Sequence, residues 1–498
     1  MRLSILSAHL GGISILSLLH YSLAQSSSVN QSTTCDQKCQ QLAQTAIAFE
    51  IESHAHSPLD QFYSVPDNFN PSVKPGTLLR VESHTDLGNY TVPSGLTMSR
   101  IMYTSQNLNG TVVPVSAFVL WPYVPFQYSD GHGSQHASSK FPLVAWSHGT
   151  SGTFVNCAPS NYRSLQYHFM TSYPLALEGF AVVAPDYAGL GVTTRSDGYQ
   201  THEWLAGPAG ANDVAYAIEA VRKAFPAQLD KDGLFVTMGH SQGGNAAWSF
   251  AERQVKLPVT GYRGTIAISP PTRVLELVDN AHKIKASTPP SSLPLWVQVV
   301  LGLQPKMIAS ITSSYPSYNF SGMTPISYDR WNNVLKPLQG CLPTDNLAFA
   351  DITLDQLVRP GWTNDSAAQQ WQKKVSVGGN KFKGPLLVIG GENDVQPIEF
   401  VEQSVKASCR ASGSESLEMF TYQAMSHFPM IQASRMKWMG WIKERIGGVD
   451  GDYARGAATE CGKNNFVEGF NTNYTLQSVT PNWLTQWVPQ QEGWKLAL

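Results

Sequence analysis

Residues 239–243 read Gly-His-Ser-Gln-Gly, and their flanks leave this stretch few ways to fold. The preceding run, 234–238, is short and almost continuously apolar, as a strand buried on both faces would be. The following run, 243–253, has helical character and places Gly244, Ala246 and Ala247 near its start. A strand that passes directly into a helix must turn so sharply that the residue at the apex leaves the usual backbone regions and thrusts its side chain into solvent. Side chains at the flanking glycines would collide with neighbouring elements, and the small helix residues keep helix and strand close. The apex residue is Ser241. The next backbone N–H, on Gln242, points to where a reacting carbonyl oxygen would gain charge. Without the strand and helix around it, a serine between two glycines would say little.

The same kind of apolar run recurs at 143–146, 180–184, 265–268, 386–389 and 417–422. Between the second of these and the elbow, 209–225 carries Val214, Ile218, Val221 and Phe225 at helical spacing. A further helix is expected over 430–446, with Trp438 and Ile442 on one face and Gly447 as its stop. Strands alternating with helices predict a mostly parallel sheet covered on both faces, the α/β class, and the elbow specifies the α/β-hydrolase fold. Upstream, 100–104 and 112–120 read as strands joined by a hairpin turn at Asn109-Gly110. The stretch 270–383 is rich in Pro, Ser and Asn and breaks the rhythm, so it is read as an inserted, largely helical cap. Within it, 293–303 is far more apolar than its surroundings, which suits either a buried helix or a wall for an acyl chain. The expected layout is a signal peptide (1–24), an N-terminal extension (25–57), a fold core in two parts (58–269 and 384–447) around the cap, and a C-terminal extension (448–498).

A serine hydroxyl needs a base, and the base needs an acid to fix its tautomer. In this fold the chain order is serine, acid, histidine, with the last two on loops after later core strands. The run 386–389 leads into Gly390-Gly391-Glu392-Asn393-Asp394, where Asp394, just before Val395 and Pro397, is the expected acid and Glu392 its rival. The run 417–422 leads into Ala424-Met425-Ser426-His427, and His427 is the expected base. The other histidine after Ser241 is His282, inside the expected cap. A second oxyanion donor beside Gln242 is expected after 143–146, where Ser147-His148-Gly149-Thr150-Ser151-Gly152 follows. Thr150 is favoured there through its N–H, with Ser151 as the alternative, and His148 is read as structural rather than as a second base.

The N-terminus carries Arg2, an apolar stretch from about Leu10 to Leu19 and a small-x-small site at Ser22-Leu23-Ala24. This pattern predicts a cleaved export signal, too short to span a bilayer, with the mature chain starting near Gln25. With net charge −2 and 14% charged residues, the chain offers no basic face for nucleic acid or an anionic membrane. Cys35, Cys39, Cys157, Cys341, Cys409 and Cys461 are even in number, and disulfides are the default in an exported chain. Cys35-x-x-x-Cys39 is read as a local disulfide rather than a metal or redox pair. Sequons at Asn30, Asn89, Asn109, Asn319, Asn364 and Asn473 favour a glycosylated secreted product. His54, His56, His132 and His136 lack partners in sequence that would make them metal ligands, so no metal and no cofactor are expected.

Taken together, these stretches resemble the fungal and bacterial secretory lipases of the lipase A type. The resemblance rests on Asp60-Gln61-Phe62-Tyr63, Cys157-Ala158-Pro159-Ser160, Ala184-Pro185-Asp186-Tyr187-Ala188-Gly189-Leu190-Gly191, the elbow, and the Asp394 and His427 loops. It implies ester hydrolysis by a Ser–Asp–His triad and a helical cap inserted after the elbow. It also implies disulfides joining Cys157 to Cys341 and Cys409 to Cys461, which leaves Cys35 with Cys39. At the oxyanion loop the chain departs from that family, with Thr150 in place of an acidic residue. The expected function is a secreted serine hydrolase that cleaves carboxylic esters through an acyl-enzyme on Ser241, as a lipase or carboxylesterase. A peptidase or acyltransferase on the same fold is the alternative; a non-catalytic binding module would usually have lost the serine or the histidine. The expected partners are an acylglycerol or other carboxylic ester and a lipid–water interface, with no nucleic acid and no integral membrane segment after signal cleavage.

Overall fold

The computed structural model describes residues 32–67, 69–129, 135–136, 140–192, 201–413, 415–447 and 461–470. The expected signal peptide and the sequons at Asn30 and Asn473 lie outside the described residues, as does His132.

Ten strands build the main sheet: β1 (Leu78–Glu82), β2 (Thr97–Gln106), β3 (Val112–Trp121), β4 (Leu143–Ser147), β5 (Ala181–Pro185), β6 (Phe235–His240), β7 (Tyr262–Ile268), β8 (Leu386–Gly391), β9 (Leu417–Tyr422) and β10 (Asn464–Val467). Their spatial order is β1-β2-β3-β5-β4-β6-β7-β8-β9-β10. β1, β2, β3 and β5 pair antiparallel in turn. Every pairing from β5 through β4 to β10 is parallel. Within the parallel part, β4, β5, β6 and β8 are buried along their whole length, because helices cover both faces of the sheet there.

The period of two along a strand sorts side chains between those faces. On β3, Val115, Ala117 and Val119 pack with Val214, Ile218 and Val221 of the helix Gly207–Ala224. Phe118 and Leu120 point the other way, into the cluster that holds Trp438 and Ile442 of the helix Arg435–Gly447. The expected helix over 430–446 is in fact two pieces, Pro429–Ala433 and Arg435–Gly447. At the joint, the Ser434 hydroxyl donates to the Met430 carbonyl at 2.8 Å, a side-chain bond that competes with the helical ladder.

Between β7 and β8 the described chain is helical, with Val274–Ser287, Leu295–Gly302, Gln304–Ser314, Leu342–Ala348 and Ser366–Val375 as its main helices. The element that ties this stretch down carries no clear pattern in the amino-acid sequence. It is a helix, Gln37–Ser53, begun by Asp36, whose carboxylate accepts the Cys39 N–H at 2.9 Å. Its buried face, Cys39, Ala43, Ala46, Ile47 and Glu50, packs against Leu342–Ala348. The two Glu50 carboxylate oxygens accept the Cys341 N–H at 2.9 Å and the Thr344 N–H at 2.8 Å, satisfying orphan donors at that helix start.

Three disulfides are present, Cys35–Cys39, Cys157–Cys341 and Cys409–Cys461. The second joins the loop after β4 to the helix that Glu50 caps. The third ties down the segment in which Asn464–Val467 adds the tenth strand beside β9. Asn89, Asn109, Asn319 and Asn364 are exposed. Among the described residues no helix is long and apolar enough to cross a membrane.

Burial pushes the Glu50 carboxyl up to about 7, against the pull of the Cys341 and Thr344 N–H groups. A carboxyl raised in the folded state binds its proton more tightly there than in the unfolded chain. Its stabilisation is therefore fully present below the ordinary carboxyl range and is lost as pH rises through about 7. Thermal unfolding should accordingly find that the margin in Tm of the native protein over Glu50→Gln shrinks between pH 5 and pH 8. A margin that widens with pH would contradict this assignment. The Cys157–Cys341 bridge spans 184 residues. In the chain-entropy view, closing such a loop is worth about 5 kcal/mol, so Cys157→Ser/Cys341→Ser should lower Tm markedly, by several degrees or more. An unchanged Tm would mean that the non-covalent contacts alone hold this join.

Candidate active site

Ser241 stands between β6 and the helix Gln242–Arg253 with φ 58° and ψ −124°. A non-glycine residue in such a conformation is strained by on the order of 1–3 kcal/mol and persists only where its surroundings impose it. The imposition is steric. A Cβ on Gly239 would land on the Gly243 carbonyl, and one on Gly243 would land on the Ser147 carbonyl of β4. The Ser241 N–H donates to the Ile268 carbonyl at 2.9 Å, which ties the turn to the end of β7.

His427 follows β9, and its Nδ1 lies 2.7 Å from Asp394 Oδ1. A carboxylate can only accept, so Nδ1 carries the proton and Nε2 is left as the acceptor. Asp394 is held in turn by the Ser269 hydroxyl, which donates to Oδ2 at 2.5 Å, and by the Gln396 N–H, which donates to Oδ1 at 2.8 Å. Burial alone would push the Asp394 carboxyl up; the His427 imidazole and these hydrogen bonds outweigh it and hold the group below the ordinary carboxylate range. Glu392, the rival acid, is exposed and accepts the Ala424 N–H at 2.9 Å instead. The carboxylate brought to the imidazole is thus that of Asp394.

The Thr150 loop is fixed from three sides. Its hydroxyl accepts from Trp204 Nε1 at 2.8 Å and its carbonyl from Gln166 Nε2 at 3.0 Å. The neighbouring Ser151 carbonyl accepts the Leu342 N–H at 2.8 Å, close to the Cys157–Cys341 bridge. The Thr150 N–H has no acceptor among the described residues. The Gln242 N–H, first in its helix, has no intrahelical acceptor. Its side chain is engaged: the Gln242 amide donates to His202 Nε2 at 2.6 Å.

Ser241, His427 and Thr150 line one cavity of about 510 Å³. Much of its remaining wall is apolar and comes from the helices between β7 and β8, with Val274, Leu277, Val300, Leu303, Met307 and Phe349 among the lining residues. The apolar segment 293–303 is divided between core and cavity. Val297 and Leu301 are fully buried in core, while Val299, Val300 and Leu303 face the cavity.

A second serine, aspartate and histidine also meet, but in a different arrangement. Ser160 donates its hydroxyl to Asp186 Oδ2 at 2.6 Å and its N–H to Oδ1 at 2.8 Å, and Ser116 donates to the same carboxylate at 2.6 Å. The His148 ring meets backbone carbonyls and not the Asp186 carboxylate, with Nδ1 2.6 Å from the Gly149 oxygen and Nε2 3.3 Å from the Asp186 oxygen. Ser160 is fully buried, and its hydroxyl contacts a carboxylate and a tyrosine rather than an imidazole. Burial pushes the Asp186 carboxyl up to about 6 and the His148 imidazole down to about 3. Such a cluster braces the loops after β4 and β5; among the described residues no imidazole meets the Ser160 hydroxyl.

His54 is buried, and His56 Nε2 lies 3.5 Å from Asp60 Oδ2. Among the described residues no three His, Cys, Asp or Glu side chains gather where a metal ion could be held. Sequence reasoning passed over Ser269, Trp204 and Tyr167. Of these only Ser269 left a trace, as the polar residue at the end of an apolar strand just before Pro270-Pro271.

Comparison with known proteins places this geometry in context. A family model described as the alpha/beta hydrolase family matches residues 144–436. Comparison with curated proteins finds none that matches. Lipase A of Candida antarctica superposes with a TM-score of 0.62 at 15% identity, over 82% of this chain and 89% of that one. Its closed state gives 0.61 at 15% identity, over 80% and 93%. The rice cell wall degrading esterase of Xanthomonas oryzae gives 0.55 at 16% identity, over 75% and 98%. At such identities the superpositions speak for the fold, whereas the family model spans more than half of the sequence and takes in the elbow together with the Asp394 and His427 loops. The chain belongs to the alpha/beta hydrolase family.

Proposed function

We propose that this protein is a secreted carboxylic ester hydrolase in which Ser241 is the nucleophile, His427 the base and Asp394 the orienting acid. The observation that carries the reading is the conjunction of a strained serine and an Asp394-bound imidazole on the wall of one largely apolar cavity. In this mechanism His427 Nε2 takes the Ser241 proton as Oγ attacks the ester carbonyl. The carbonyl oxygen becomes an oxyanion and is met by the Thr150 and Gln242 N–H groups; one such donor is typically worth about 10² to 10³ in rate. The proton then passes from His427 to the departing alcohol, leaving an acyl group on Ser241. Water, activated by the same imidazole, releases the acid. Asp394 keeps Nδ1 protonated throughout, so Nε2 stays available.

The cavity supports an ester with a hydrocarbon acyl chain as substrate. Each CH₂ moved from water to an apolar wall contributes about 0.8 kcal/mol, so six carbons could alter kcat/KM by roughly three powers of ten. The helices between β7 and β8 act as the cap that supplies this wall. Three disulfides and four exposed sequons support export to an oxidising, glycosylating compartment.

Two measurements test the reading. Asp394→Asn should lower kcat by about 10⁴, as loss of the correct tautomer does in other triads, while Glu392→Gln should stay near the native rate. The reverse order would transfer the acid's role to Glu392. In the cavity, Val299→Trp should reduce kcat/KM for a p-nitrophenyl octanoate by about tenfold or more and leave the acetate nearly unchanged, since blocking a few CH₂ positions removes only long-chain binding. Equal losses on both esters, in step with Tm, would leave a short-chain esterase and remove the acyl role of this wall.

A further inference from the structure

The residue before the nucleophile, His240, is fully buried and plays no part in the chemistry just described. Its ring lies 4.5 Å from that of His427, centroid to centroid, and 5.7 Å from that of Tyr167. Both of its nitrogens are engaged. Nδ1 is 2.8 Å from the Tyr167 hydroxyl, and Nε2 is 2.9 Å from the backbone carbonyl of His427. The Tyr167 oxygen in turn receives the Gly149 N–H at 3.1 Å.

One placement of protons satisfies the neutral relay. The Gly149 N–H can only donate, so the Tyr167 oxygen accepts it and its own O–H is free to donate to His240 Nδ1. The His427 carbonyl can only accept, so His240 Nε2 carries the ring proton. Burial, reinforced by the neighbouring His427, holds the His240 imidazole well below its ordinary range, which keeps it in the neutral form this placement requires. The ends of the relay are functional neighbours. Gly149 immediately precedes Thr150, whose N–H faces the developing oxyanion in the proposed mechanism, and the carbonyl at the other end belongs to the base itself. Tyr167 and Phe428 also line the cavity, and Phe428 packs 5.3 Å from the His240 ring.

We propose that Tyr167 and His240 are positioning residues that lock the oxyanion loop and the base loop to each other across the elbow, so that both partners of Ser241 are held in register. The inference rests on the assignment of Ser241, His427 and the Thr150 N–H made above. Each link is a single hydrogen bond between groups on different loops, after β4, before the helix Ser172–Leu177, at the elbow and after β9. Losing the relay would let the oxyanion donors and the base drift apart by fractions of an ångström. Such a drift weakens the transition state more than substrate binding.

The test uses the full-length protein and p-nitrophenyl butyrate. Tyr167→Phe removes one oxygen and keeps the ring. It should lower kcat by about 10- to 100-fold, the scale of an ångström-sized misplacement, with KM within about twofold and the octanoate-to-acetate preference unchanged. His240→Phe should do the same, and His240→Gln, which can both donate and accept, should retain more kcat than His240→Phe. Because both residues serve one relay, Tyr167→Phe/His240→Phe should be no slower than the slower single variant, within about threefold. Tyr167→Phe with native kcat, losses that multiply in the double variant, or losses that appear in KM or track Tm would each overturn the proposal. Ser241→Ala, measured alongside, separates the two failures. If it retains turnover, the mechanism itself is wrong; if it is inactive while Tyr167→Phe is native, only the relay is.

Discussion

The backbone of Ser241 cannot relax. Its φ of 58° is imposed by two close approaches, Gly239 against Gly243 and Gly243 against the Ser147 carbonyl, which leave no room for a Cβ at either glycine. Those approaches exist because β4, β6 and β7 are neighbours in a parallel sheet and the helix Gln242–Arg253 lies close over their ends. The local strain at Ser241 is therefore borne by the whole central sheet, whose strands are buried on both faces. The loops that surround the serine leave the same, C-terminal end of the parallel strands, after β4, β8 and β9, and this is what lets residues 150, 241, 394 and 427 converge although they are far apart in sequence.

Convergence of loops is not enough to fix them, and the structure fixes each by a different means. The Asp394 loop is held by Ser269, a hydroxyl that itself sits at φ 48° at the end of β7. The Thr150 loop is held by Trp204, Gln166 and the strand-like contact of Gly152 with Cys341. That last contact makes the helices above the sheet part of the site's support, and the helix Gln37–Ser53 extends the support further by capping Leu342–Ala348 with Glu50. Arg330 adds a second anchor: its guanidinium pairs with both Asp351 oxygens at 2.9 Å and with the Ala348 carbonyl at 2.8 Å. The cavity wall is thus bound to the Thr150 loop through one covalent bridge and a buried polar network, so that the cavity's shape and the placement of that loop depend on one another.

The sequence made the elbow, the Asp394 and His427 loops, and the alternation of strands and helices legible, because each is a local pattern. An apolar strand, a glycine-bounded serine and a helix of small residues are adjacent in the chain. What escaped is set by contacts through space. Ser269, Trp204 and Tyr167 are ordinary residues in sequence and acquire meaning only from partners that lie 125, 54 and 73 positions away. The helix Gln37–Ser53 begins just after a polar stretch and carries Glu50 on its buried face, so its amphipathic pattern is weak. The strand Asn464–Val467 is short and polar; it is a strand because β9 offers a free edge and Cys461 is tied to Cys409. Two clusters of serine, aspartate and histidine cannot be ranked by composition at all. Geometry ranks them: a carboxylate on an imidazole at 394 and 427, against a carboxylate on hydroxyls at 186 and 160.

The central claim is that Ser241, and no other serine, carries the reactive hydroxyl. The most direct measurement is to treat the protein with a fluorophosphonate, digest it and locate the covalent adduct by mass spectrometry. The account predicts a single adduct on the peptide that contains Ser241, and none on Ser241→Ala treated in the same way. An adduct on Ser160, or labelling that survives in Ser241→Ala, would contradict it.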